Sequence, residues 1–219
     1  MGWFRETFSY SIGRKIIMAL TGLLLVIFLI GHLSGNLLLL AGDGGEAFNA
    51  YSDFMQTNPG VQVLRVLIFL GFLFHIVDGL MLAYNNKKAR PVNYAKNDPS
   101  QNSSWFSRTM TYTGSILFIF LIIHLYSFLI KYQVIGYDGN LYELVKTSFE
   151  LWYYTVFYVI AMAVVGFHMV HGFKSAFHTL GMNHVKYNGI VKNIGVFLAI
   201  VIPVGFAIIP LYFFIGQFL

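Results

Sequence analysis

The chain has 219 residues, of which 57% are hydrophobic and only 11% charged, with a mean hydropathy of +0.67. An ordinary soluble domain carries roughly a quarter charged residues, so a water-soluble fold is excluded. Lys and Arg outnumber Asp and Glu by 14 to 9, but these cations lie scattered between apolar runs and build no single nucleic-acid-binding patch. With no cysteine, the chain makes no disulfide, holds no iron–sulfur cluster and has no Cys-x-x-Cys-His attachment site, so any such centre must sit on a partner.

Five apolar runs follow one another, at residues 16–40, 61–84, 111–130, 151–173 and 194–215. Each is long enough to cross about 30 Å of hydrocarbon at about 1.5 Å per helical residue. None alternates in polarity as a barrel strand would, so helices are predicted. The first run, preceded by Arg5, Arg14 and Lys15, is too long for a signal peptide's apolar region and lacks a small-residue cleavage site, so it is expected to be a retained span. After it come Asp43, Glu46 and Asp53, and after the third run Asp138, Glu143 and Glu150. Residues 85–110, with Pro91 and Pro99, read as the longest irregular loop.

Eleven of the Lys and Arg residues lie before the first run or in the second-to-third and fourth-to-fifth connections, against three (Arg65, Lys131, Lys146) at the opposite ends. That bias predicts a cytoplasmic N-terminus and a C-terminus outside. The expected fold is an all-α integral membrane protein of the cell inner (cytoplasmic) membrane. Residues 1–219 form one domain of five transmembrane helices, four making a cofactor-binding core and the fifth lying beside it.

Ligating side chains are costly inside hydrocarbon and mark function by default. His32, His75, His124 and His168 fall one to a run in the first four runs. His32 and His124 lie about two-thirds along outward-running helices, and His75 and His168 about two-thirds or more along inward-running ones, so two pairs at two depths result. Two facing imidazoles at one level can ligate a haem iron from both sides. Two levels predict two b-type haems, with His32 and His124 on the outer iron and His75 and His168 on the inner one.

The runs His75-Ile-Val-Asp-Gly79 and His168-Met-Val-His-Gly172 each put a glycine one turn after the histidine, where a flat macrocycle can approach the backbone. Gly71, Gly31 and Gly35 fit the same need, or plain helix packing. His171 is the one rival to His168. His178 and His184 are expected in the inner loop, and Asp78 is expected to reach the inner interface. A zinc or di-iron site lacks its carboxylates.

Several stretches give the chain a familiar look: residues 22–36, ending in Ile30-Gly31-His32-Leu33-Ser34-Gly35-Asn36; the stretch Gly45-Glu-Ala-Phe-Asn49; the second helix through His75; and Gly166-Phe-His-Met-Val-His-Gly172 followed by Leu180-Gly181. With the order of the four histidines, they make the chain resemble the cytochrome b membrane anchor of succinate:quinone oxidoreductases, the complex II and fumarate reductase family, in its single-chain, five-helix, diheme form. The resemblance implies the same ligand pairing. It also implies a flavoprotein with covalent FAD and an iron–sulfur protein as cytoplasmic partners, with those cofactors on the partners only, and a quinone as substrate, with menaquinone favoured.

Glu46 and Asp53 are then the candidate proton carriers for an outer quinone site. In some diheme fumarate reductases of the family a glutamate two residues before the fourth-helix ligand carries compensating protons; Gly166 stands there in this chain. Two other readings remain open: the diheme cytochrome b subunit of a hydrogenase or formate dehydrogenase, and a haem-free transporter or anchor. Association of the complex into a homo-oligomer is also compatible with the sequence.

Overall fold

The computed structural model describes residues 11–88 and 104–219. Its helices are α1 (Ser11–Asn36), continued by a 3-10 turn (Leu37–Leu40); α2 (Glu46–Thr57); α3 (Pro59–Lys88); α4 (Trp105–Leu125), continued by a π-helix (Tyr126–Gly136); α5 (Leu141–Phe149); α6 (Trp152–Thr179); and α7 (Val185–Gly216). No strand occurs among the described residues. Five helices are long and apolar enough to cross a membrane: α1, α3, α4 with its π extension, α6 and α7. Their outward faces are studded with exposed Leu, Ile, Val and Phe, such as Leu67, Leu70, Phe74, Ile119 and Phe197, as expected where the solvent is lipid.

The expected four-helix core forms from α1, α3, α4 and α6: α1 packs on α3 and α6, α4 packs on α6, and α7 lies against α6 and α1. One seam is built from Met169 of α6 and Ala199 and Ile202 of α7, with Val26 and Leu29 of α1 against them. Here Pro203 has no N–H to offer the Ala199 carbonyl, which loses its helical partner. Gly166 fills the notch, and a Cβ on it would lie 2.9 Å from that carbonyl oxygen.

Two short helices, α2 and α5, close one end of the bundle, which we term the capped end. Both lie in stretches that the sequence marks only by their acidic residues between apolar runs. They fold because their apolar residues have a surface to cover: Phe48, Val145 and Phe149 join Leu39, Tyr158, Ile209 and Phe213 in a buried cluster. Asp43 sets the start of α2, accepting from Gly45 N–H and Ala47 N–H at 2.9 Å each. Those two N–H groups hold its carboxyl below the usual carboxylate range. Asn49 Oδ1 accepts from Tyr142 N–H at 3.1 Å, tying α2 to α5.

Gly45 is buried at φ +94°, and a Cβ there would fall 2.2 Å from the Tyr142 ring. Gly45→Ala is therefore expected to lower stability by about 1–3 kcal/mol, read as a lower Tm of the detergent-solubilised protein with helix content unchanged.

At the opposite, basic end lie Arg14, Lys87, Lys88, Arg108, Lys174, Lys186 and Lys192. The connection expected at 85–110 is shorter than that, because residues 85–88 and 105–110 are helical; the rest, with Pro91 and Pro99, lies outside the described residues. His178 sits in the last turn of α6 rather than in the loop, whereas His184 lies in the connection as expected and is the N-cap of α7, its Nδ1 accepting from Lys186 N–H at 3.2 Å.

Candidate functional site: two facing histidine pairs

Each of the four spans that carry a predicted ligand turns its histidine into the bundle. His32 of α1 faces His124 of α4 at a ring-centroid separation of 6.0 Å, and His75 of α3 faces His168 of α6 at 6.2 Å. The ring planes are nearly perpendicular, at 86° and 72°. The first pair lies toward the capped end and the second toward the basic end. His171, also half-buried, lies beside His168 on α6, and the ring opposite His75 is that of His168.

All four rings are held through Nδ1. Thr21 Oγ1 lies 3.3 Å from His75 Nδ1, Thr113 Oγ1 3.1 Å from His168 Nδ1, Tyr158 Oη 3.2 Å from His124 Nδ1, and Asn36 Nδ2 3.3 Å from His32 Nδ1. Asn36 Nδ2 also donates to the His32 carbonyl at 2.7 Å, which fixes the amide orientation and makes His32 Nδ1 the acceptor. Metal-bound histidines typically donate their second ring N–H in this way, which at His75, His168 and His124 would leave Nε2 to hold a metal.

A haem fits this donor set. Two imidazole nitrogens each about 2.0–2.1 Å from one iron would put their ring centroids about 6 Å apart, close to the 6.0 Å and 6.2 Å found. The walls are apolar and aromatic at the capped end, where Phe28 stacks on His32 at 5.1 Å, and Phe120 stacks on His124 at 5.7 Å. Among the described residues no three His, Cys, Asp or Glu side chains gather.

The glycines divide differently from expectation. Gly71 packs on Leu24 and Gly35 under the Tyr51 ring, which is helix packing, while Gly31 opens onto free space. Gly79 and Gly172 meet Met18 and Met110. The glycines that face the histidines lie on the neighbouring helices: a Cβ on Gly22 would stand 3.2 Å from His75 Cε1, and one on Gly114 3.6 Å from His168 Cε1. Asp78 is buried, and its Oδ2 has no hydrogen-bond partner among the described residues.

Glu46 and Asp53 both lie exposed on α2, so neither joins the histidine pairs. The cavity nearest them, about 450 Å³, is lined by Gln56, Arg65, Tyr132, Gln133, Tyr137 and Gly139. Arg65 Nη1 lies 3.5 Å from Gln133 Oε1, and Gln133 Nε2 donates to Gln56 Oε1 at 3.2 Å. A π-helix, often a mark of function, delivers Tyr132 and Gln133 to it. Charge counting had used Arg65 only as a topology signal.

A family model described as succinate dehydrogenase/fumarate reductase transmembrane subunit matches residues 86–209, more than half of the chain, with His124 and His168 inside the match. No curated protein and no solved structure matches the chain.

Proposed function

Because the chain belongs to the family of transmembrane subunits of succinate dehydrogenase and fumarate reductase, we propose that it is the diheme anchor of such a complex, carrying electrons between an iron–sulfur partner and a quinone. The supporting observation is the two cross-bundle histidine pairs, each with Nδ1 engaged. His32 and His124 would hold one haem b and His75 and His168 the other. When bound, the two haems supply a one-electron path along the bundle axis.

The basic end is assigned to the cytoplasm by its excess of Lys and Arg, placing the protein in the cytoplasmic membrane. The flavoprotein and iron–sulfur subunits, which carry FAD and the clusters, would dock there. The quinone, with menaquinone favoured, is assigned to the capped end. There the Arg65 and Gln133 N–H groups can donate to its carbonyl oxygens, and Glu46 and Asp53 would supply protons from the outer face.

Arg65→Ala is expected to raise the quinone KM roughly tenfold, the loss of one charge-assisted hydrogen bond, with haem spectra unchanged. Neutralising Glu46 and Asp53 together is expected to slow turnover; unchanged turnover would remove them as proton carriers. Co-purification tests the assignment to complex II: a flavoprotein with succinate dehydrogenase activity should accompany the chain. Recovery with a hydrogenase or formate dehydrogenase instead would overturn it.

A further inference from the structure

A threonine hydroxyl has one proton to donate, and the direction in which Thr21 sends its own is fixed. It lies 2.7 Å from the Ile17 carbonyl and 3.2 Å from that of Met18, both on its own helix. Toward His75 Nδ1 it can then only accept, so the ring carries its proton on Nδ1. Thr113 repeats the arrangement. Its oxygen lies 3.1 Å from the Thr109 carbonyl, the Met110 carbonyl and His168 Nδ1 alike, and with its proton on either carbonyl it accepts from His168 Nδ1–H. A neutral imidazole protonated on Nδ1 keeps its lone pair on Nε2, the form that binds a metal.

The two threonines occupy equivalent places in an internal repeat. Each precedes the glycine that faces the histidine it holds, as Thr21-Gly22 and Thr113-Gly114. Each is followed eleven residues later by the capped-end histidine of the same helix, His32 or His124. Eleven residues make about three helical turns, so threonine and histidine share a face. Thus α1 and α4 each present a capped-end ligand above and an acceptor for the basic-end ligand below.

The geometry points to a positioning role, which rests on the two-haem reading: Thr21 and Thr113 each lock one basic-end histidine in the Nδ1–H tautomer and strengthen its Nε2 as a donor, setting the redox poise of the basic-end haem alone. A hydrogen bond that withdraws the Nδ1 proton makes the ring more basic and favours the oxidised metal. At the capped end His124 uses another acceptor. Ser127 donates to the Ile123 carbonyl at 2.8 Å and so accepts from Tyr154, and Tyr158, whose ring stacks on that of Tyr154 at 5.3 Å, lies 3.2 Å from His124 Nδ1.

The test is a redox titration of the purified complex, followed optically and by electron paramagnetic resonance, with Thr21 and Thr113 each replaced by Val and by Ser. In the Val variants the midpoint of the basic-end haem should rise, shifting its oxidised-to-reduced ratio at fixed potential roughly three- to tenfold; tenfold is about 59 mV for one electron. The Ser variants should restore the wild-type value, and the capped-end haem should not move. Tyr158→Phe should do the converse.

A Val variant indistinguishable from wild type, or a Ser variant that behaves like Val, overturns the proposal. If Val abolishes the basic-end haem, retention by Ser supports the proposal and loss in both overturns it. A wild-type protein without haem would refute the two-haem reading itself, before any threonine is changed.

Discussion

Alanine in place of His75 or of His168 is expected to remove one and the same haem, halving the haem content, and alanine in place of His32 or His124 the other. The expectation follows from the pairing across the bundle, at 6.2 Å and 6.0 Å between ring centroids, which couples helices far apart in sequence. Removing one ring leaves its partner's Nε2 facing an apolar gap that an alanine methyl cannot bridge. A remaining imidazole alone cannot hold a low-spin, six-coordinate iron. Of the two haems, the one lost with His75 or His168 should be the one that succinate reduces first, since it lies nearer the basic end. His171→Ala should leave both. Loss of the inner haem in His171→Ala with its retention in His168→Ala would contradict the assignment. So would a His75 variant and a His168 variant that lose different haems.

Succinate-driven quinone reduction is expected to draw on the membrane potential. On the proposed function, electrons would enter at the basic end and leave near the capped end, and the protons that join the quinone would come from outside. Each electron crossing toward the positive face gains roughly 2.3 kcal/mol per 100 mV for a full crossing, a large fraction of the driving force when the acceptor is a low-potential menaquinone. Compensation by a proton path through the fourth span would need an acid beside His168. Gly166 occupies that place, and even a Cβ there would come within 2.9 Å of the Ala199 carbonyl, so the seam between α6 and α7 has no room for a longer side chain. In sealed, correctly oriented vesicles, an inside-negative potential should accelerate succinate-to-menaquinone turnover and shift its end-point. Indifference to the potential would mean that charge movement is compensated or that the quinone lies at the basic end.

The spans were legible because hydrocarbon imposes a length and a composition that no other environment does, and the four histidines because a ligating side chain in such a run has few other reasons to be there. The pairing followed from depth alone. What stayed hidden depends on tertiary context. Helices α2 and α5 are short and mixed in polarity, and Phe48 and Phe149 become core only because α7 brings Ile209 and Phe213 against them. Thr21 and Thr113 look like ordinary small polar residues in a helix until His75 and His168 arrive from neighbouring helices. A signal was nonetheless present: Thr-Gly followed eleven residues on by His occurs in both the first and third spans. The glycines one turn from His75 and His168 are not separated by pattern alone, since small residues serve packing as readily as a cofactor, and Gly79 and Gly172 lie beside the methyl ends of Met18 and Met110.

The most direct test of the central claim is a reduced-minus-oxidised spectrum of the purified chain, combined with a haem assay per polypeptide. Two histidine pairs at two depths predict a b-type alpha band and about two haems per chain, resolved into two midpoint potentials. A chain that shows no such band would be a haem-free anchor or transporter, and the reading of His32, His75, His124 and His168 as iron ligands would be wrong.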